Sequence, residues 1–180
     1  GWFEEMGSNL VIIYAGYSQQ LNRRERFTMA DVELLEARCP SAIMFSPMFE
    51  YEGILEFGRN REEGQVIGVM PEFFTVRNYK LQKGKRITRN DVERERRIAV
   101  IGAEVEKKLF RGRSVLGSEI KLDGGEYTVV GVLEEKGKEQ WYGDMIVLTP
   151  LTTAQKSKGY GYFWHIDAKA KSAEVTQQLT

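Results

Sequence analysis

The 180-residue sequence has one cysteine, Cys39, and one histidine, His165. A single thiol cannot close an internal disulfide, and the two residues together cannot build a Cys/His zinc site. A lone cysteine suits the cytosol and a cell envelope equally, so it leaves the compartment open. Long apolar runs are missing as well. A membrane-spanning helix needs about 20 apolar residues, whereas the longest purely apolar run here is Leu10–Ala15. No segment is expected to span a bilayer and no signal peptide is visible. A secreted or membrane-bound parent protein would carry its targeting element outside these residues. Phosphate loops are absent too. Gly84-Lys85-Arg86 has the wrong spacing for GxxxxGK[ST] and is followed by Ile87; GxGxxG does not occur. The chain by itself is not expected to hydrolyse ATP.

Net charge is the last absence. The sequence carries 26 Lys+Arg and 26 Asp+Glu, which excludes a generally basic nucleic-acid binder and an acidic disordered tail. The zero sum is unevenly spread. Residues 1–76 hold 6 basic and 12 acidic side chains, residues 77–97 hold 9 and 3, and residues 98–180 hold 11 of each. The stretch from Arg77 to Arg97 could meet anionic lipid headgroups, nucleic acid or an acidic partner. Alternatively it is a solvated face paired internally with the acidic residues of 1–76.

What is present suits a folded domain. Apolar residues make up 42% and aromatics 11%, enough for a core in one domain or two small ones. Leu10–Tyr14 reads as a buried strand. Phe27-Thr28-Met29-Ala30-Asp31-Val32 carries a capping box and a staple, predicting a helix over 29–38 that stops at Cys39-Pro40 and buries Met29, Val32 and Leu35. Residues 42–57 look extended, with Pro47 as an interruption. Gly58-Arg59-Asn60 and Gly64 mark a turn region, and Gln65–Val69 returns as a hairpin strand. Thr88 and Asp91 repeat the capping grammar and predict a short helix. Strands are expected at 97–102, around Ile120–Leu122, at 127–133, at 145–148 and at 163–170. Helices are expected at 103–110, from Pro150 with Thr152 as cap, and from Ser172 onward. The outer segments read β-α-β-β and β-α-β around a 70-residue interval. That predicts an α+β fold, a split ferredoxin-like subdomain over 1–69 and 141–180 with a small α/β subdomain inserted over 70–140.

Three constellations could carry chemistry. His165 and Asp167 lie two apart and face one side of a strand, as a hydrolytic or metal pair could begin. No second histidine and no G-x-S-x-G elbow accompanies them, so a satisfied histidine is the simpler reading. Glu62-Glu63 and Glu134-Glu135 sit in polar turns and read as solvated charge. Lys158-Gly159-Tyr160-Gly161-Tyr162-Phe163 overlaps an RNA-recognition pattern whose aromatics stack on bases. A sheet-based RNA-binding module using Lys158–Phe163 is therefore the alternative reading; aromatics entering a core strand are the plainer one.

Several pieces together resemble the extracytoplasmic core domain of MacB-type ABC transporter permeases, the family that includes MacB, LolC, LolE and, more distantly, FtsX. They are Gly7-Ser8-Asn9-Leu10, Gly68-Val69-Met70-Pro71-Glu72-Phe73, Leu81-Gln82-Lys83-Gly84-Lys85, Ala99-Val100-Ile101-Gly102, Leu109-Phe110, Leu116-Gly117-Ser118-Glu119-Ile120, Tyr127–Leu133 and Pro150-Leu151-Thr152-Thr153-Ala154-Gln155. Lys85 stands where the family usually has Arg, and Ser114-Val115 where Asp-Pro is common. The resemblance implies a porter-like subdomain interrupted by a second α/β subdomain, lying between the first two of four membrane helices. It implies a non-catalytic domain without cofactor or metal, on the periplasmic side of a cell membrane. The ATPase would be a separate domain or subunit acting through membrane helices absent here. A periplasmic adaptor is a possible partner, and nucleic acid is not one. The complete transporter would be a homodimer or heterodimer, whereas the isolated domain is expected to be a weakly associating monomer. Candidate partner-contact residues are the basic Lys83, Lys85 and Arg86 and the aromatic Trp141, Tyr142, Tyr160 and Tyr162.

Overall fold

The computed structural model describes residues 3–5, 10–20, 22–39, 41, 43–137 and 142–170. The family-like Gly7-Ser8-Asn9 stretch, the stop at Pro40 and the helix from Ser172 lie outside the described residues. β1 (Phe3–Glu5) pairs with β2 (Leu10–Tyr14), and a small separate ribbon joins β3 (Tyr17–Ser18) to β4 (Arg23–Arg24). α1 (Met29–Arg38) follows, with Thr28 and Asp31 closing the capping box. Its Val32 is buried, and Met29 and Leu35 pack against the core. The long strands β5 (Ile43–Phe57) and β6 (Asn60–Val69) form a hairpin. Then come α2 (Phe73–Val76), β7 (Leu81–Gly84), α3 (Arg89–Glu93), β8 (Ile98–Ile101) and α4 (Ala103–Val105). β9 (Glu119–Leu122), β10 (Gly125–Leu133), β11 (Ile146–Pro150), α5 (Leu151–Lys158) and β12 (His165–Ala170) complete the described chain.

The main sheet runs β1-β2-β12-β5-β6-β11-β8-β10-β7. β2-α1-β5 is a split β-α-β unit, because antiparallel β12 lies between its two strands. β11-α5-β12 is a second such unit, with β5 and β6 between its strands. The fold is thus α+β with two interleaved split units, a ferredoxin-like arrangement, and the intervening segment adds β7 to β10.

β9 pairs with both β10 and the far half of β5. This closes a ring of six paired strands: β5, β6, β11, β8, β10 and β9. Asp123 seals the closure: its amide donates to the Ile54 carbonyl and its carboxylate accepts from the Ile54 amide. Alternation then sorts the side chains onto two faces. Leu55, Val66, Ala99, Ile101, Ile120, Leu122, Tyr127, Val129 and Val147 form one cluster enclosed by the ring, joined by Val105, Leu109 and Phe110. Ile67, Leu148 and Val100 face the other way, into a second cluster with Met48, Phe73, Phe74 and Phe163. β11, β8 and the second half of β6, Val66–Val69, are buried on both faces, which is why they read as nearly continuous apolar runs.

Four local expectations are corrected. Pro47 does not interrupt β5. It pairs with Ile166 of β12 only, since β6 joins from Met48 onward, so on the β6 side there is no ladder bond for a missing N–H to remove. Gly64 lies inside β6 rather than in the turn; a Cβ there would come 2.6 Å from Leu55 Cδ1. The helix over 103–110 is α only to Val105 and continues as a π-helical turn over Glu106–Phe110, ended by Arg111 in the left-handed region. Asn60 on the hairpin donates to the Leu109 carbonyl and Phe57 stacks on Phe110 at 4.1 Å, so this turn is held by tertiary contacts. Thr152 does not cap α5. The helix starts at Leu151 after Pro150, and the Thr152 hydroxyl donates to the Val92 carbonyl instead.

Candidate functional site

β2, β12 and β5 run side by side in register. Tyr14 lies opposite His165, which lies opposite Met48; Ile12 lies opposite Asp167, which lies opposite Ser46. Cross-strand partners share a face, and Glu50 is two residues beyond Met48. Tyr14, His165, Asp167 and Glu50 therefore gather on one side of the sheet. Gln65 on β6 joins them, its amide 3.4 Å from Glu50 Oε2. Two connecting segments reach over this face. α2, anchored by buried Phe73, Phe74 and Val76, ends at Arg77. The return toward β11 brings Tyr142. Ile12, Tyr14, Glu50, Gln65, Arg77, Tyr142 and His165 line a half-open cleft of ≈ 370 Å³.

At its floor Arg77 meets Asp167 as a bidentate pair, Nε to Oδ2 at 2.5 Å and Nη2 to Oδ1 at 3.0 Å. The side chains are 7% and 0% exposed. Burial pushes the Asp167 carboxyl above its usual range, and the Arg77 contacts oppose that push. Burial alone would lower the Arg77 pKa, but the hydrogen bonds and charge of Asp167 outweigh it and raise it. The Arg77 guanidinium also lies 5.0 Å from the Tyr142 ring centre. Burial raises the Tyr142 phenol pKa, reinforced by the charge of Glu50, to which the phenol is hydrogen-bonded. His165 Nδ1 is 3.9 Å from Glu50 Oε1, and its ring is 5.9 Å from that of Tyr14. Among the described residues both Asp167 carboxylate oxygens accept from Arg77, which is not the arrangement of a hydrolytic triad. Among the described residues no cluster of His, Cys, Asp and Glu could hold a metal.

Beside the cleft, the two connecting segments are stitched to each other. Lys136 Nζ donates to the Arg77 and Asn78 carbonyls, both at 2.5 Å, and lies 4.5 Å from the Tyr79 ring. The Asp144 carboxylate accepts from the Lys136 and Gly137 amides at 2.6 and 2.9 Å. The Tyr79 hydroxyl donates to the Gly143 carbonyl at 3.0 Å. Burial lowers the Lys136 pKa, with nearby Lys169 and Arg77 adding to the effect.

The sequence-based contact residues fall in three places. Lys83 lies on β7, at the edge of the main sheet, paired with Glu106 at 2.7 Å; Lys85 follows it, exposed, and the Arg86 guanidinium lies 5.3 Å from the Phe74 ring. Tyr142 belongs to the cleft, and Trp141 lies outside the described residues. Tyr160 and Tyr162 form a row with Phe49 and Trp164, at centroid spacings of 5.8, 5.1 and 5.3 Å, and Arg26 sits 4.0 Å from the Tyr162 ring. These two tyrosines lie in the loop after α5, and Phe163 is buried against Phe27. The Lys158–Phe163 segment is therefore not the mid-sheet strand that stacking on bases requires. Sequence reasoning passed over Glu50 and Tyr14 and took Arg77 only as the start of the basic stretch. Its one signal was the His165/Asp167 spacing, with Asp167 set between the apolar residues Ile166 and Ala168.

The basic stretch does not close on the acidic 1–76 segment as a block. Arg89 pairs with Glu72, but Arg96 pairs with Asp91, Lys83 with Glu106, and Arg97 lies over Tyr127.

The family model for the MacB-like periplasmic core domain matches residues 2–180. The chain belongs to that family. Membership places it on the extracytoplasmic side of an ABC transporter permease. A macrolide export ATP-binding/permease protein MacB 1 of Yersinia pestis bv. Antiqua (strain Antiqua) is 30% identical over 186 residues. The alignment covers 97% of this chain but 28% of that relative, so the chain spans little more than a quarter of its length. Two solved structures share the fold of this MacB-like domain. One is the periplasmic region of MacB from Actinobacillus actinomycetemcomitans, with TM-score 0.78, 20% identity, and coverage of 96% of this chain and 81% of that one. The other is the extracellular domain of the ABC-type transporter YknZ from Gram-positive bacteria, with TM-score 0.80, 19% identity, and coverage of 94% and 88%. Among the described residues no helix is long and apolar enough to cross a membrane.

Proposed function

We propose that this domain transmits ATP-driven movement of a permease's membrane helices to a periplasmic adaptor or to the exported substrate, in efflux or in lipoprotein or peptide export. The domain itself is non-catalytic and uses no cofactor; the ATPase is a separate domain or subunit, and the permease works as a homodimer or heterodimer. The observation that carries this reading is family membership together with the stitching of the two connecting segments. A domain that relays motion has to move as a stiff body. Lys136, Asp144 and Tyr79 tie the outgoing and returning segments together beside the buried Arg77–Asp167 pair. In this reading the 70–140 segment is a subdomain carried on the outer 1–69 and 141–180 unit. The exposed Lys85 and Tyr160 are contact residues for the partner, while Arg86 and Tyr162 are partly engaged within the domain.

The test uses the whole transporter in nanodiscs. With Cys39 replaced by Ser, a spin label at exposed Gln19 on each copy reports the distance between the two domains. A shift in that distance between nucleotide-free and ATP-bound states is expected. An unchanged distribution during active ATP turnover removes the proposal.

A further inference from the structure

The cleft over β2, β12 and β5 has the composition of a receptor for a positive charge. Among the described residues, the acidic and basic side chains of its lining are Glu50, Arg77 and His165. Arg77 is neutralised in place by Asp167, and His165 adds charge only when protonated. Among the described residues Glu50 is the one carboxylate that lines the cleft, and His165, charged only when protonated, is the cationic group beside it. The Glu50 side chain is 30% exposed, so it faces the opening rather than the core. Gln65 donates to Oε2 and Tyr142 is hydrogen-bonded to the same group, while His165 stands beside Oε1. A carboxylate offers about four acceptor positions. These neighbours use fewer acceptor positions than a carboxylate offers. Tyr14, Tyr142 and the apolar Ile12 share the lining with Glu50. Aromatic faces attract cations, more strongly where water is partly excluded. Tyr142 already receives one cation on its ring, the Arg77 guanidinium at 5.0 Å.

We propose that this cleft binds a small organic cation, a protonated amine on a compact apolar body, with the ammonium on Glu50 and the body against Tyr14, Tyr142 and Ile12. The ≈ 370 Å³ volume admits a ligand of one ring and a short amine arm, and is near the lower bound for small-molecule sites. The site is independent of whether the domain relays motion, so it stands or falls by itself.

The experiment titrates the 180-residue chain with benzylamine, benzyl alcohol and benzoate at pH 8, reading calorimetric heats and the NMR shifts of the cleft residues. Saturable binding of benzylamine is expected, with neither the alcohol nor the acid binding at the same concentrations. Glu50→Gln keeps the hydrogen-bonding shape but removes the charge, and should weaken the amine about tenfold or more, as loss of a charge-assisted hydrogen bond does. Tyr14→Leu removes one ring and should weaken it while leaving Glu50 in place. Absence of saturable amine binding overturns the proposal. So does benzoate binding as well as the amine, or equal amine affinity in a folded Glu50→Gln variant.

Discussion

Arg77 and Asp167 stand 90 residues apart in sequence and meet in a bidentate ion pair with almost no solvent contact. Arg77 ends the first turn of chain beyond β6, and Asp167 sits in the last described strand. The pair ties the start of the intervening segment to the sheet that holds both split units together. Breaking a buried pair leaves a bare charge in a poorly solvating place.

Arg77→Met should therefore cost about 3–5 kcal/mol of unfolding free energy. The double variant Arg77→Met/Asp167→Leu should recover much of that loss, because no unpaired charge remains. Urea unfolding of the two variants checks this. A single variant no less stable than the double would show that the pair is not the structural tie described.

Gly68→Ala should destabilise by about 1–3 kcal/mol, as overpacking does. A Cβ at Gly68 would come 2.6 Å from the Ala154 Cβ and 3.1 Å from the Leu151 Cα, and backbone cannot swing aside. At Gly16 a Cβ meets nothing within 4 Å and the backbone is not in the left-handed region. Gly16→Ala is the matched control and should be nearly neutral in the same melts.

Asp91 sets an acid limit on stability. Burial works against its charge, but the Thr88 amide and hydroxyl and the Arg96 guanidinium outweigh burial and hold the carboxyl below its usual 3.8. A lowered folded value means the contribution is complete above 3.8 and is lost as the pH falls through the folded value. Asp91→Asn should be less stable at neutral pH and should show a shallower loss of stability on acidification. Parallel slopes for the two proteins below 3.8 would contradict this.

Tyr51 sets an alkaline one. Burial raises its phenol from 10.0 to about 12, with the Ser157 hydrogen bond opposing. A raised value gives a contribution that is complete below 10.0 and lost as the pH rises through about 12. An ultraviolet difference titration of the wild type against Tyr51→Phe should show one phenol missing near that pH. A missing component near 10.0 would place Tyr51 in water instead.

Much of the local structure was legible because its causes are local. Thr28 and Thr88 cap helices through aspartates three residues on, and both capping boxes form. Asp123-Gly124 turns the chain because both positions take positive φ, 47° and 84°. Reading Pro47 and Gly64 as breaks failed for the opposite reason. Pro47 is admitted by a missing neighbour on one side, and Gly64 by the Leu55 side chain across the hairpin. Neither neighbour is visible from a residue's own surroundings in sequence.

Most of the longer elements, their order around an interval, and the family were readable in the sequence, because periodicity, capping and motif order are properties of short stretches; the short β1, α2 and β7 and the β3–β4 ribbon were not. Tertiary structure alone decided that β9 returns to β5 and closes six strands into a ring, since strand partners are chosen by which faces can be buried together. It also decided the site. A charge pattern that sums to zero says only that cations and anions are equal in number. Folding chose which of them meet: it spent Arg77 on Asp167 in the core, sent Arg89 to Glu72, and left Glu50 in the lining of a cleft it shares with Tyr14 and Tyr142.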